Sequence, residues 1–494
     1  MSDEAIIVVG SGVGGLAAAI ELAAAGRRVI VLERAGEPGG KMRQLRVGDR
    51  GVDSGPTVFT MRWIFDALLA SAGTTLEEHL TLHEADTLAR HAWRSGGVLD
   101  LFASTERSAE AIEAFSDRAN AQGYRDFCAR SAAIYATLRE PYIASPRPGM
   151  FELVRRVGFR RLDEMWRTAP FSTLWSALGE HFSDSRLRQL FGRYATYVGS
   201  SPLKAPATLM LIAHVEQDGV WLVEGGMRAV AAALRDVAEG LGVEFRFDCG
   251  VRRICVDGQR LEGVVTDGGE VLSATQLVYN GDISALGSGM LGDAARRAVK
   301  PVAPPQRALS AITFSAVADT AGLPLDYHNV FFDDDYPQEF AAIFERGEIR
   351  DRPTVYVCAQ DRAAGAVPEG AERLLLLINA PADGDRIERD RPMLDAYRDR
   401  ALELMGACGA QVAIDEGHCV TTDPARFAQR FPGSGGSLYG RANHGPLASF
   451  ARPGARSAIR GLYLAGGSVH PGAGVPMSAM SGRLAAGALL EDSR

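Results

Sequence analysis

The chain is nearly without lysine: Lys41, Lys204 and Lys300 stand against fifty arginines. Such a bias reflects codon usage rather than chemistry, yet it singles out each lysine. Cysteine is sparse as well. Cys128, Cys249, Cys255, Cys358, Cys408 and Cys419 form no CxxC pair and follow no metal-ligand spacing. They read as reduced, mostly buried thiols in a cytosolic compartment, with no metal site expected. No run of about eighteen apolar residues occurs, which argues against a membrane-spanning helix. Asp3 and Glu4 lead straight into a glycine loop, leaving no room for a cleavable signal peptide. Positive charge is in deficit, with a formal net charge of -8, and this argues against nucleic acid as a partner because phosphate binding needs a basic face.

What is present is an ordinary globular composition, 46% hydrophobic and 23% charged over 494 residues, long enough for about three domains. The first apolar run, Ala5 to Val9, enters Gly10-Ser11-Gly12-Val13-Gly14-Gly15, then an alanine-rich helical stretch, then the strand Arg28 to Leu32 closed by Glu33. This order predicts a nucleotide-binding βαβ unit. Gly10 permits the turn out of the strand, Gly12 lets the backbone approach a pyrophosphate, and Gly15 allows close helix packing. Glu33 would hold a ribose hydroxyl pair, with Arg34 beside it.

A second glycine cluster, Glu37-Pro38-Gly39-Gly40-Lys41, would lead the chain back across the cofactor, Lys41 being either a cation for the pyrophosphate or a solvated surface lysine. Asp53-Ser54-Gly55-Pro56-Thr57 is another turn, which Asp53 would cap without touching ligand. Residues 105 to 220 read as helical. Within them, Arg147 to Trp175 is basic and amphipathic, with Arg147, Arg155, Arg156, Arg160, Arg161 and Arg167 interleaved among Phe151, Val154, Val157, Leu162 and Met165. In an acidic protein this pattern reads as a membrane-surface contact, the alternative being a lid helix with its arginines in water and Gly158 interrupting it.

After residue 220 the nucleotide fold resumes: a helix after Gly225-Gly226, then strands at Val243 to Phe247, Val251 to Val256, Leu261 to Thr266 and Val271 to Tyr279, separated by Asp-Gly turns. Strand candidates at Leu309 to Ala316, Thr354 to Ala359 and Leu374 to Asn379 suggest a second sheet. The Asp333-Asp334-Asp335 triplet reads as a solvated turn. Near the C-terminus the strand Leu462 to Leu464 enters Ala465-Gly466-Gly467, followed by Ser468-Val469-His470-Pro471-Gly472-Ala473-Gly474-Val475-Pro476 and the helix Met477 to Leu490. A second helix N-terminus of this kind has no use in a nicotinamide enzyme, whereas a flavin spans the longer distance.

These motifs resemble the phytoene-desaturase type of bacterial carotenoid desaturases, within the flavin amine oxidase superfamily. The resemblance covers the whole chain and is most specific at Gly10 to Gly15, Pro38 to Lys41, Asp53 to Thr57 and Gly466 to Pro476. Within that family the chain is most similar to the hydroxyneurosporene (methoxyneurosporene) desaturases of purple bacteria. The resemblance implies an α/β fold with a Rossmann-like FAD domain (1–70, 221–304 and 455–494) carrying a β-meander. A sheet-based substrate domain (71–104 and 305–454) and a helical, membrane-contacting insertion (105–220) complete it. It implies noncovalent FAD, with Gly10, Gly12, Gly14, Gly15, Glu33, Arg34, Gly40, Lys41, Gly55, Pro56 and Thr57 on one side. Val251 would meet the adenine, and Gly466, Gly467, Pro471, Gly472, Val475, Pro476 and Met477 would line the ribityl chain and ring. Lys41 replaces the family's usual arginine, and Met477 stands where a glycine is common.

The implied reaction is 3,4-desaturation of a 1-hydroxylated C40 carotenoid, as hydride transfer to flavin N5 followed by proton loss. Oxygen or a quinone would then take the electrons. An oily substrate implies peripheral attachment to the inner or intracytoplasmic membrane. No acid or base stands out; Lys300, His328 and His418 are candidates. A phytoene desaturase, or a carotenoid or retinoid isomerase or saturase, would share these motifs. A covalent-flavin amine oxidase is disfavoured because residues 450–494 contain no cysteine, and a non-redox lipid escort because both ends of the cofactor site are intact.

Overall fold

Two apolar strands, Ile6–Val9 and Val29–Leu32, lie side by side in parallel, joined by the helix Val13–Ala24. A computed structural model describes residues 4–158 and 171–493 of the chain. In it these strands sit within a five-stranded parallel sheet, in the order Leu462–Leu464, Leu277–Tyr279, Ile6–Val9, Val29–Leu32, Glu244–Arg246. Covered on both faces, the inner strands are apolar throughout rather than alternating. The helices Val13–Ala24, Gly226–Gly240 and Val475–Asp492 pack into the same core as the sheet.

The segment Val271 to Tyr279 is not the single strand that its apolar character predicts. Val271–Ser273 is the outer strand of a three-stranded antiparallel meander with Val251–Asp257 and Arg260–Thr266, whereas Leu277–Tyr279 belongs to the parallel sheet. Burial separates the halves: Val271 is 66% exposed, and Leu277 and Val278 are completely buried.

A seven-stranded mixed sheet follows the order Ala410–Thr422, Ser310–Gly322, Glu372–Ala380, Val355–Ala359, His328–Phe332, Thr87–Trp93, Val98–Phe102. Its pairings are antiparallel except that of His328–Phe332 with Thr87–Trp93. The acidic triplet beyond Phe332 is only partly solvated, because Asp333 is buried and paired with Arg350 at 3.2 Å. Between the sheets in sequence lie helices including Thr105–Phe115, Arg118–Leu138, Leu174–His181 and Ser185–Gly192. Their N-caps Ser104, Asp117, Thr173 and Asp184 each accept a bond from a first-turn amide.

The basic helix Met150–Val157 stops at Gly158, whose φ of +92° suits glycine. Arg160, Arg161, Leu162, Met165, Trp166 and Arg167 of the amphipathic stretch lie outside the described residues. Among the described residues no helix is long and apolar enough to cross a membrane, and no His, Cys, Asp and Glu cluster could hold a metal.

Candidate active site

One cavity of about 1510 Å³ runs from the glycine loops of the parallel sheet to the inner face of the mixed sheet. It begins where the strand Ile6–Val9 gives way to Gly10, at φ +95°. Gly10, Gly12 and Gly14 line it, and Gly12 is the N-cap of the first helix with no side-chain cap, so the helix N-terminus faces open space. Gly15 does not line the cavity. Its place is behind the loop, where a β-carbon would run into the Gly10 carbonyl, so of the residues expected to touch cofactor it serves packing alone.

Glu33 is buried at the cavity wall and already well held: Oε2 accepts from the Ser11 amide at 2.7 Å and its hydroxyl at 2.9 Å, and Oε1 from the Ala35 amide at 2.9 Å. Arg34, Val251 and Asp267 line the same end. Gly40 and Lys41 cross over the first loop through the Gly12–Gly39 bridge. Lys41 is half-buried in the cavity wall rather than a freely solvated surface lysine. Its Nζ donates to the Leu438 carbonyl at 2.5 Å and lies 5.2 Å from the Phe431 ring centre. Burial lowers its pKa, and Asp282 opposes that effect.

Gly55, Pro56 and Thr57 continue the wall, as do Gly466, Gly467, Pro471, Gly472, Val475, Pro476 and Met477. The C-terminal helix starts at Val475 with Gly474 as N-cap, again without a side-chain cap, and Pro476 lies in its first turn. The cavity therefore holds two uncapped helix N-termini contributed by opposite ends of the chain. Asp53 is outside it; its carboxylate accepts from the Arg228 amide at 3.4 Å, at the start of the helix Gly226–Gly240.

Two residues that sequence reasoning passed over hold these loops together. Asn280 Nδ2 donates to the Gly10 and Gly12 carbonyls, each at 3.3 Å, and its Oδ1 sits 2.6 Å from where a Gly14 β-carbon would be. Arg452 is buried, with Nη1 donating to the Gly467 carbonyl at 2.7 Å and Nη2 to those of Arg441 and Tyr439 at 2.8 and 3.0 Å. Asn280 was visible as the end of a strand beside a glycine. Nothing distinguishes Arg452 from forty-nine other arginines.

The inner part of the cavity is walled by Leu209, Ile212, Leu375 and Leu377, with the polar side chains of Arg193, Tyr197, Glu216 and Tyr356 among them. The outer part is apolar and open: Met150, Leu153, Val154, Leu447 and Phe450 line it, and Met150 and Leu447 are about half exposed, at 46% and 56%. Of the three candidate acid or base residues, none lines the cavity. Lys300 is exposed, His418 lies half-buried on the strand Ala410–Thr422, and His328 sits one hydrogen bond behind Tyr356, Nδ1 to hydroxyl at 2.7 Å. Burial pushes the His328 imidazole down to about 3, so it is neutral at ordinary pH.

A parallel nucleotide sheet, a long cavity gripped by two glycine loops and a second mixed sheet closing its far end define a flavin-dependent oxidoreductase. The chain belongs to the flavin-containing amine oxidoreductase family, whose model matches residues 13–490. It is 52% identical over 488 residues to hydroxyneurosporene desaturase of Rubrivivax gelatinosus, covering 98% of this chain and 93% of that protein. To the protein of the same name from Rhodobacter capsulatus it is 42% identical, covering 99% and 98%. More distantly, it is 28% identical to 1-hydroxycarotenoid 3,4-desaturase of a Flavobacterium species, covering 97% and 98%. The fold is shared with an oxidoreductase from Methanosarcina mazei (TM-score 0.61, 16% identity, 99% and 100% of the two chains). Wild-type putrescine oxidase has it too (TM-score 0.61, 13% identity, 99% and 99%).

Proposed function

We propose that this protein is an FAD-dependent carotenoid desaturase that introduces the 3,4 double bond of a 1-hydroxylated C40 polyene or its methoxy derivative. The observation that carries this reading is the continuity of the cavity, from a nucleotide-binding loop at one end to an inner slot walled by Leu209, Ile212, Leu375 and Leu377, with a few polar side chains among them, at the other. Likeness to hydroxyneurosporene desaturases along nearly the whole chain supports the substrate. The residues present fit FAD: Glu33 would hold the adenosine ribose, the helix at Val13 the pyrophosphate, and the helix at Val475 the electron-rich edge of the ring. Among the described residues no cysteine or histidine lines the cavity, which favours noncovalent attachment.

Bound FAD supplies the two-electron acceptor for removal of a hydrogen pair from adjacent carbons. The chain's own residues align the polyene and keep water out. The apolar wall at Leu209, Ile212, Leu375 and Leu377 suits an extended hydrocarbon. No lining side chain is assigned as a base, since loss of hydride beside a polyene leaves a delocalised cation whose neighbouring C–H is acidic. We propose the division into an FAD part (1–70, 221–304, 455–494), a substrate part (71–104, 305–454) and a helical insertion (105–220) on the sheet memberships above.

Because the substrate is lipid-soluble, the exposed apolar rim at Met150, Phe151 and Leu447, with Arg147, Arg155 and Arg156 nearby, is proposed to rest on an anionic membrane surface. Oxygen or a quinone would reoxidise the flavin. The test is expression in cells that accumulate 1-hydroxyneurosporene, with pigment analysis. The expected product absorbs at longer wavelength by one added double bond. Consumption of phytoene or neurosporene with the hydroxylated pigment untouched would overturn the substrate assignment.

A further inference from the structure

The deepest part of the cavity contains a charged group that an oily hydrocarbon does not require. Arg193 lines the slot, its Nη1 donating to the Tyr197 hydroxyl at 3.0 Å and its guanidinium lying 5.0 and 5.3 Å from the ring centres of Tyr197 and Tyr356. A guanidinium carries five N–H donors. Among the described residues that one hydrogen bond is all that uses them, and no carboxylate comes within ion-pair distance. Glu216 faces the same slot, its Oε2 accepting from the Tyr194 hydroxyl at 2.9 Å. Burying a cation with unfilled donors and no ion-pair partner is expensive unless a ligand completes the set.

The position of this cluster is as informative as its chemistry. Tyr356 is hydrogen-bonded to Thr57 at 2.6 Å, and Thr57 follows directly on Gly55-Pro56 at the cofactor wall. The cluster therefore adjoins the stretch of wall, Gly55 to Thr57, that is read as facing the cofactor. In a 1-hydroxylated polyene the oxygen stands about three bonds from C3, so a group that holds the oxygen also sets which C–C bond meets the acceptor. A hydroxyl can accept from Arg193 while donating to Glu216. A bare hydrocarbon end can do neither and would leave the remaining Arg193 donors unfilled, with Glu216 held only by tyrosine hydroxyls.

We infer that Arg193, Tyr197 and Glu216 form a recognition site for the terminal oxygen of the substrate, which enters the slot oxygen first and is positioned for reaction at the adjacent carbons. The inference rests on the desaturase reading for its substrate class, and the cluster is a specificity device rather than part of the redox chemistry.

The test uses the FAD-loaded full chain and two pigments in detergent, 1-hydroxyneurosporene and neurosporene. Tyr197→Phe removes one oxygen atom and little volume, and Arg193→Lys keeps the charge while losing the planar fork. Flavin content by visible absorbance confirms that each variant is folded. Relative kcat/KM for hydroxylated over unhydroxylated pigment is expected to fall about tenfold or more in Tyr197→Phe, and further in Arg193→Met, with partial recovery in Arg193→Lys. An unchanged ratio in flavin-replete variants overturns the inference. A separate binding titration, reading pigment-induced change in the flavin spectrum, distinguishes the two readings. If the wild type turns over neither pigment but binds the hydroxylated one in a Tyr197-dependent way, the desaturase reading falls and the recognition site stands. If it binds neither, both fall.

Discussion

Gly482 of the C-terminal helix lies against Gly14 of the first helix with no room for a side chain. A β-carbon on Gly482 would run into the Gly14 carbonyl oxygen, and would lie 2.9 Å from its carbonyl carbon and 3.0 Å from the Ala18 amide nitrogen. Backbone atoms there cannot move without shifting the loop that Asn280 ties to Gly10 and Gly12. The pair thus couples the packing of two helices to the shape of both glycine loops.

Gly482→Ala is expected to cost about 1 to 3 kcal/mol, because overpacking against backbone forces the helices apart. Gly487 lies in the same helix with nothing within 4 Å of a β-carbon. Gly487→Ala should be neutral or stabilising by about 0.5 to 1 kcal/mol through helix propensity. Thermal unfolding and flavin content of the two purified variants check this. Equal melting temperatures would show that the helices are not pressed together at Gly482.

A second prediction concerns Glu33. Its carboxylate is oriented by the Ser11 amide and hydroxyl and the Ala35 amide, so the residue is positioned before any ribose arrives. Glu33→Gln keeps the volume and removes the charge. Hydrogen bonds to a charged group contribute about 1.5 to 3 kcal/mol, so FAD affinity is expected to drop by roughly ten- to a hundredfold. Fluorescence titration of the apoprotein with FAD measures it, and an affinity within twofold of wild type would remove Glu33 from the cofactor site.

The contrast between Glu33 and Arg452 indicates how much was legible in the chain itself. Glu33 could be read because its function depends on local order: strand, glycines, helix, strand, acid. The same holds for Val475 and Pro476, where a glycine turn precedes a helix. Arg452 acts through three carbonyls brought to it by long-range folding, and no local pattern encodes that. Val271 to Tyr279 misled because apolar continuity carries no information about which sheet a strand joins; only packing separates the buried Leu277 from the exposed Val271. The inner slot was illegible for the same reason. Arg193 and Tyr197 share a short helical turn, but Glu216, Thr57 and Tyr356 reach them from three other segments.

Acid should weaken the protein through its buried histidines. Burial pushes His91 and His328 down to about 3, and His470 to about 4, each from an ordinary value of 6.5. The folded state therefore binds fewer protons than the unfolded state between those values. The stability these groups contribute is complete above pH 6.5 and is lost progressively as pH falls toward 3 to 4. At pH 5 each neutral imidazole forfeits on the order of 1 to 2 kcal/mol. Buried Glu216 and Glu339, whose carboxyls burial raises, act in the opposite direction, so the clean measurement is a difference. His328→Phe should show a shallower fall in melting temperature between pH 7 and 5 than the wild type. Parallel curves would mean that His328 takes up its proton in the folded state.

The last prediction concerns the rim of the cavity. Phe151 is 74% exposed, Met150 and Leu447 are about half exposed, and the last two also line the cavity. In the same helix, Arg155 and Arg156 share the single carboxylate of Glu152, which leaves a positive surplus beside the apolar side chains. Seating such side chains in the acyl boundary contributes about 1.5 to 3 kcal/mol each at full burial. Phe151→Ser with Leu447→Ser should weaken cosedimentation with anionic phospholipid vesicles by at least about tenfold, and raised salt should weaken the wild type as well. Activity on pigment presented in detergent should survive, since neither residue belongs to the flavin loops or the inner slot. Undiminished vesicle binding by the double variant would place the membrane contact elsewhere on the molecule.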